Sequence, residues 1–260
     1  MLSLCTSCCS HSDPNGPSDS DVENWPFLRQ RASQPHLFFH RAQWLYAYVL
    51  YAFALVLIDV RFTFEALFVI PRTQLQGLEF LVTKAANIAM FMYVPWVFWG
   101  LPASTVAAGA LARYAVAATF HVAVISLNHQ QPAAAEGAGE DGSKNGVVWF
   151  RRTLQCTQDT APQSWWLCVA TGGLSLHVVH HTLPSLSIFL LPRATAAARE
   201  FLTAHGLPYR PHATLWDGLW GHQLFLRAMG KPPPVRGERD SSGSERYSSG
   251  DFQQRVSKVE

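Results

Sequence analysis

The chain has 260 residues, of which 48% are hydrophobic and 15% charged, and its formal net charge is +2. This balance favours one membrane domain with polar tails, and the absence of a basic block with interleaved aromatic residues excludes a nucleic-acid partner. Cys5, Cys8 and Cys9 have no second cysteine pair beside them, so a reduced polar tail is favoured over a zinc site.

The N-terminal part of the chain is polar and then becomes apolar. Residues 1–40 are rich in Ser, Asp, Pro and Asn, and we expect them to be irregular and not to act as a signal peptide. Residues 44–60 are apolar, but they are short for a span of roughly twenty residues. Because Arg41, Trp44 and Tyr46 suit the headgroup level, an interfacial helix is favoured over a crossing there.

Two later segments are long and apolar enough to cross a bilayer. The first covers residues 78–99, with Lys84 near one end and an aromatic belt that includes Trp96 at the other. An uncharged turn at residues 100–104 joins it to the second segment, residues 105–127. The pattern therefore predicts a transmembrane helical hairpin.

The basic residues near the hairpin predict its orientation. Lys84, Arg72, Arg151 and Arg152 lie on the side opposite the turn, so the positive-inside rule places the turn in the lumen and both tails in the cytosol. Arg113 lies inside the second span, where a charge is costly unless it faces other protein or snorkels. We therefore expect Arg113 to have a partner within the protein.

The remaining segments complete the predicted architecture. Residues 131–147 are rich in Ala, Gly and Glu and indicate a flexible loop, while residues 193–205 indicate a short helix. Apolar residues between 215 and 225 recur every three or four positions, which predicts an amphipathic helix that lies either on the membrane or against the protein itself. With a disordered tail at 231–260, the predicted class is an all-α membrane protein: a transmembrane hairpin plus interfacial and cytosolic helices.

Three histidines stand close together at His177, His180 and His181. On a helix, offsets of three and four residues place their imidazoles within about a 100° arc. Imidazole suits iron, copper, zinc and nickel, and three ligands from one helical turn leave coordination positions open for other ligands or for dioxygen. The spacing predicts a metal site, and the alternative is a solvated histidine patch at a membrane edge.

The residues around these histidines resemble a family motif. Gly172-Gly173-Leu174 precedes them and Leu183-Pro184 comes after them, as in the third histidine box of the integral-membrane fatty acid desaturases. The likeness continues through Pro192, an Ala-rich helix and the His-Gly-Leu-Pro-Tyr segment at 205–209, which is similar to front-end desaturases of polyunsaturated fatty acids. His177 stands where front-end enzymes usually have Gln, as it does in other desaturase branches.

The N-terminal segment resembles the region that begins at the second histidine box of the same family. On that register His11 takes the last histidine position, and Ser7 and Ser10 stand where two further histidines belong. A hydroxyl group is a poor substitute for imidazole on iron. The first box is missing from this sequence. The resemblance thus divides the chain into a degenerate second-box remnant (1–40), the C-terminal half of a desaturase-like membrane domain (41–230) and the tail.

The resemblance also implies the ligands, cofactor and reaction. In the family, a histidine at the cytosolic end of the second span completes the iron site, and His129 takes that position here. The implied iron ligands are His129, His177, His180 and His181, with His11 as a fifth, which is about half of a di-iron site. The implied reaction is the oxygen-dependent insertion of a double bond into an acyl chain, with electrons from a cytochrome b5-type donor at the endoplasmic reticulum.

Three functions remain open from the sequence. The first is a fatty acid desaturase that is truncated here, with little or no activity as an isolated chain. The second is a non-catalytic membrane protein that binds lipid or a partner. The third is a related di-iron lipid hydroxylase.

Overall fold

The computed structural model of the chain describes residues 24–31, 34–68, 74–131 and 146–232. Within these ranges the elements are helical, and the β structure there is limited to an isolated parallel bridge between Thr160 and His212. The predicted all-α class is therefore confirmed. His11 and the rest of the second-box remnant up to residue 23, most of the 131–147 loop and all but the start of the tail lie outside the described residues.

The helices form in two groups along the chain. A 3₁₀ turn, Phe38–Ala42, precedes α1 (Gln43–Phe68), α2 (Gln74–Ile88), a π-helical segment (Ala89–Phe98) and α3 (Ala103–His129). The second group is α4 (Gly146–Cys156), α5 (Trp165–Ala170), α6 (His177–Thr182), α7 (Leu191–Ala204) and α8 (Leu215–Gly230). The described residues fall into two compact units, one within Tyr48–Val122 and the other within Ser3–Ala47 and Ala123–Glu260.

Among the described residues, two helical stretches are long and apolar enough to cross a membrane, Gln76–Phe98 and Ala103–His129. They coincide with the two predicted spans, and Gly100, with a φ of +65°, lies in the turn between them. Most large apolar side chains of the first stretch are exposed, as expected for side chains that face lipid. The chain is thus an all-α membrane protein. The interfacial position of α1, which the sequence favours over a crossing, stays a prediction.

The π-helical segment was not foreseen from the sequence. It contains Pro95, whose ring would crowd the carbonyl four residues earlier in an α-helix and which has no N–H to donate. The wider winding of a π-helix relieves this crowding. Its backbone hydrogen bonds join residues five positions apart, as where the Trp99 N–H donates to the Val94 carbonyl at 3.3 Å. The segment is therefore the local response to a proline within an apolar helix.

Arg113 has the partner that its position demands. Its Nη2 donates to Asn87 Oδ1 at 3.2 Å, and its guanidinium lies 4.1 Å from the ring centroid of Phe91. In the same unit Lys84 forms an ion pair with Asp59. Since a charge in an apolar segment is tolerated when it is paired or packed on an aromatic face, the expectation for Arg113 is confirmed.

Residues 24–31 contain no helix or strand, and they are packed against α8. Arg29 is almost fully buried, and its Nη1 donates to the Met229 carbonyl at 2.8 Å. Gln43 Nε2 donates to the Leu226 carbonyl at 2.8 Å, and Gln43 Oε1 accepts from the Arg29 N–H. Backbone carbonyls of α8 thus satisfy buried polar side chains that composition alone assigns to a loose segment.

The amphipathic helix α8 divides the predicted apolar stripe between two environments. Leu224 and Phe225 are buried in the protein, whereas Trp216 and Trp220 are 77% and 54% exposed. One half of the helix therefore packs on the protein, as one interpretation expects, and the other half presents indole rings outward, while its place on the membrane stays a prediction.

The buried His222 of α8 leads to a prediction about pH. Burial lowers the pKa of His222 to about 4, although its hydrogen bond to the Gln130 carbonyl at 3.2 Å favours the charged form. The unfolded chain has a histidine pKa of about 6.5, so the folded state binds fewer protons below that pH. The contribution of His222 to the unfolding free energy is complete above about pH 6.5. It falls by about 2 kcal/mol between pH 7.5 and pH 5.

The measurement is the unfolding free energy of the detergent-solubilised protein, followed by tryptophan fluorescence at both pH values. His222→Asn retains a donor near Nδ1 and does not titrate, so we expect its stability to fall less on acidification. His205→Asn changes an exposed histidine and serves as the matched substitution. Identical pH slopes for wild type and His222→Asn would contradict this assignment.

Candidate metal centre

The short helix α6 carries three of the predicted ligands, and its apolar residues determine which way they point. Val178 packs in one cluster with Leu154 and Leu202, and Val179 packs in another that includes Leu191. Because these valines occupy the sides that face α4 and α7, the remaining arc of α6 is left to histidines. The neighbouring position His177 therefore turns toward the end of α3.

Three imidazoles meet at this point. His177 Nε2 lies 2.8 Å from His129 Nε2 and 2.9 Å from His181 Nε2. All three side chains are at most 2% exposed, and their ligand atoms lie within 4.8 Å of one another. Residues 48 positions apart in sequence are thus brought together by the end of α3 and the start of α6.

Backbone and amide groups set the orientation of the His177 ring. The Leu174 carbonyl lies 3.2 Å from His177 Nδ1 and also accepts from Asn128 Nδ2 at 2.7 Å. A carbonyl can only accept, so Nδ1 carries the proton and Nε2 presents its lone pair to the other two rings. This is the arrangement in which metal-bound histidines are usually held, with the second nitrogen donating to a carbonyl.

The donor set fits a transition-metal cation. Two nitrogens at about 2.1 Å from one ion and 90° apart are separated by about 3 Å, close to the separations found here. Imidazole suits iron, zinc, copper and nickel, and three ligands leave positions open for further groups. Without a cation, His129 and His181 would each have to donate an N–H to the single lone pair of His177.

His180 is not one of the three residues that converge here. His180 is partly exposed, and its ring centroid lies 5.6 Å from that of His177 and 5.7 Å from that of His181. Its ligand atoms are not among those that converge within 4.8 Å. His11 lies outside the described residues. The ligand roles of both therefore stay predictions.

Asp159, which the sequence did not single out, caps α6 from a distant part of the chain. Its Oδ1 accepts from the Val178 N–H at 2.8 Å, and its Oδ2 accepts from the Tyr209 hydroxyl at 2.7 Å. Burial raises the pKa of Asp159 to about 6, although the N–H groups of Val178 and His177 and the Tyr209 hydroxyl favour the carboxylate. The carboxylate fixes the first turn of the helix that carries the histidines.

The strand-like segment around Asp159 ties the site together. Gln158 N–H donates to the Asn128 carbonyl at 2.9 Å, and Thr160 Oγ1 donates to Asn128 Oδ1 at 2.9 Å. Thr160 N–H donates to the Ser175 carbonyl at 2.8 Å, and His212 N–H donates to the Asp159 carbonyl at 2.9 Å. The segment thus connects the end of α3, the turn before α6 and the chain after α7.

One signal in the sequence could have found Asp159. It is an acidic residue in an otherwise uncharged stretch, residues 153–192, that leads into the histidine helix. A lone carboxylate among apolar and hydroxyl residues is typical of a buried, hydrogen-bonded group. Its partner could not be read from the spacing, since helix caps are usually local and this one is not.

The two glycines before α6 lead to a prediction about the turn. Gly172 and Gly173 have φ values of +62° and +90°, but only Gly173 would bring a Cβ within 2.5 Å of Leu191 Cδ1. Gly172→Ala is expected to cost about 1 kcal/mol for backbone strain alone. Gly173→Ala adds overpacking and should cost about 3 kcal/mol in all. Thermal unfolding of the two variants separates the effects, and equal losses would contradict the close packing of Gly173 on Leu191.

Comparisons with known proteins relate the chain to one family. A family model described as fatty acid desaturase matches residues 11–213. An acyl-lipid (8-3)-desaturase of Physcomitrium patens is 24% identical over 227 residues, which cover 83% of this chain and 46% of the relative. The delta(5) fatty acid desaturase A of Dictyostelium discoideum is 26% identical over 94 residues, or 36% of this chain and 20% of the relative.

A third relative is similar over a shorter stretch. The acyl-lipid omega-13 desaturase of Chlamydomonas reinhardtii is 29% identical over 83 residues, which cover 32% of this chain and 17% of the relative. The chain spans at most about half the length of these relatives. No solved structure matches it significantly.

Proposed function

The chain belongs to the fatty acid desaturase family, and from this premise we propose that it serves the oxygen-dependent insertion of a double bond into an acyl chain, with His129, His177 and His181 as iron ligands. The observation that carries the proposal is the convergence of three buried imidazole nitrogens from two helices. Iron is the metal that the family generally uses, and the donor set fits it.

The reaction explains why such a cluster is needed. An aliphatic C–H bond has no acidic proton and no leaving group, so general acids and bases cannot remove its hydrogen, and bound iron would supply the activation of dioxygen. The protein holds the imidazoles at fixed positions, directs the lone pair of His177 through the Leu174 carbonyl, and shields the cluster from water by burial. Residues of this chain thus hold, orient and shield the imidazoles.

The finer features of the proposal extend beyond this cluster. We assign residues 41–230 to the desaturase-like domain, and we expect a di-iron centre to draw on His180, His11 and further ligands beyond the three converged rings. The electron donor is expected to be of the cytochrome b5 type. The membrane is expected to be the endoplasmic reticulum, with both termini in the cytosol because the basic residues flank the hairpin on that side.

The test combines iron content with product analysis. The chain is expressed in yeast, purified in detergent and analysed for iron by mass spectrometry, and the lipids of the same cells are analysed by gas chromatography. Bound iron with a new double bond supports the proposal and refutes the expectation that the isolated chain is inactive, whereas a new hydroxyl group identifies a lipid hydroxylase. Bound iron without a product agrees with the expectation that the isolated chain is inactive. A chain with neither iron nor product would refute the proposal and favour a non-catalytic lipid-binding protein.

A further inference from the structure

A buried asparagine joins the two ligand-bearing elements of the metal centre. Asn128 directly precedes His129 at the end of α3, and it is fully buried. Its Nδ2 donates at 2.7 Å to the Leu174 carbonyl, in the turn before α6, and its Oδ1 accepts from Thr160 Oγ1 at 2.9 Å. The orientation of the amide is therefore defined, because a carbonyl can only accept and must face the NH₂ group.

The Leu174 carbonyl is the acceptor on which the orientation of the His177 ring depends. It lies 3.2 Å from His177 Nδ1, at the long end of the hydrogen-bond range, and it receives the shorter bond from Asn128. Leu174 lies outside α6, in a turn with two glycines of positive φ, Gly172 and Gly173. Because the repeating backbone bonds of a helix do not fix this carbonyl, the amide of Asn128 restrains it instead.

The same hydrogen bond sets the spacing of two imidazoles. His129 follows Asn128 on α3, and His177 comes shortly after Leu174, so one bond connects the two segments that carry these rings. The Nε2 atoms of the two rings lie 2.8 Å apart. A displaced Leu174 carbonyl would therefore change both the direction of the His177 lone pair and its distance from His129.

We propose that Asn128 is a positioning residue of the metal centre, which acts by holding the Leu174 carbonyl against His177 Nδ1. The proton is thereby kept on Nδ1, and the Nε2 lone pair stays directed toward His129 and His181. This role rests on the proposed function, because it takes the imidazoles as iron ligands. Groups that orient a ligand in this way are worth about 10- to 100-fold in metal affinity.

The experiment compares the loss of this amide with the loss of another buried amide at the same end of α3. Asn128→Leu has no donor for Leu174, whereas Gln131→Leu removes a buried donor to the Gly218 carbonyl at 3.0 Å. Asn128→Ser is a milder second variant, whose hydroxyl ends one atom short of the Nδ2 position. We expect the affinity for ferrous iron, measured by chelator competition, to fall about 10- to 100-fold in both Asn128 variants and to keep the wild-type value in Gln131→Leu.

A second readout does not require iron. Nitrogen NMR of the imidazoles in the chelator-treated full chain reports which nitrogen of His177 carries the proton, and the spectrum of His177→Gln identifies its signals. We expect the proton on Nδ1 in the wild type and in Gln131→Leu, and a mixture of the two tautomers in Asn128→Leu and Asn128→Ser. A general loss of stability would not produce this difference, because Gln131→Leu also leaves a buried carbonyl without its donor.

Three results would overturn the proposal. The first is a wild-type tautomer and wild-type iron affinity in both Asn128 variants. The second is an equal loss of affinity in Gln131→Leu and Asn128→Leu, which would show general loosening, and the third is a changed tautomer with unchanged affinity. If the wild-type chain itself binds no iron, the proposed function fails, and the tautomer of His177 alone then decides whether Asn128 orients the ring.

Discussion

Replacement of His177 by alanine is expected to abolish metal binding at the histidine cluster. His177 is the ring that contacts both others through Nε2, so its loss leaves His129 and His181 without the nitrogen that joins them. Loss of a group that only orients a ligand lowers metal affinity by about 10- to 100-fold, and loss of the ligand itself should exceed about 100-fold. Competition between the purified protein and a chromogenic chelator for ferrous iron measures this change.

A graded series sharpens this test. His177→Gln provides a carboxamide, which is a weaker ligand than imidazole, and we expect an affinity between those of wild type and His177→Ala. His205→Ala removes an exposed histidine at the end of α7 and should leave iron binding unchanged. If His177→Ala retained wild-type affinity, the cluster would be a buried histidine network and not a metal centre.

Replacement of Asp159 by alanine is expected to cause the largest loss of stability. The change leaves the Val178 N–H and the Tyr209 hydroxyl without their buried acceptor. An unsatisfied buried donor costs about 1–3 kcal/mol, so the unfolding free energy should fall by about 4 kcal/mol. For a chain of this size the midpoint of thermal unfolding should fall by about 10 °C. Because α6 loses its cap, iron affinity should fall as well.

Conservative variants separate the loss of hydrogen bonds at Asp159 from the loss of side-chain volume. Asp159→Asn keeps an acceptor for the Val178 N–H, and we expect it to restore most of the stability and of the iron affinity. Tyr209→Phe removes one hydrogen bond and should cost about 1 kcal/mol. As a matched control, Asp217→Ala removes an exposed carboxylate that caps α8, with an expected cost of about 1 kcal/mol and no effect on iron. Similar losses for Asp159→Ala and Asp217→Ala would contradict the role given to Asp159.

The long apolar runs of the sequence were sufficient to predict the long helices. The apolar runs at 78–99 and 105–127 are long enough for a bilayer span of roughly twenty residues, and the structure has helical stretches at both places. The spacing of His177 and His181 likewise requires only helical geometry to place them on one side. His129 was added through a resemblance, because nothing within a single helix identifies a partner 48 residues away.

Other features depend on contacts between distant segments, and they could not be predicted from local sequence patterns for that reason. Arg29 lies in a stretch with the composition of an irregular tail, yet it is buried because α8 supplies its acceptor at Met229. His180 shares the predicted arc of α6, but the packing of Val178 and Val179 rotates that helix so that His177 and His181 enter the cluster. Local patterns predicted the helix, and tertiary packing selected which of its histidines converge.

The long-range cap on α6 has a consequence for how the protein is made. Val178 and Asp159 leave the ribosome before Tyr209 and His212, whose contacts complete the surroundings of the carboxylate. A nascent chain that ends before residue 209 therefore exposes its imidazoles on a helix that is only half secured. Since segments fold as they are synthesised, we expect the cluster to reach its final geometry only after residues 209–212 have been synthesised.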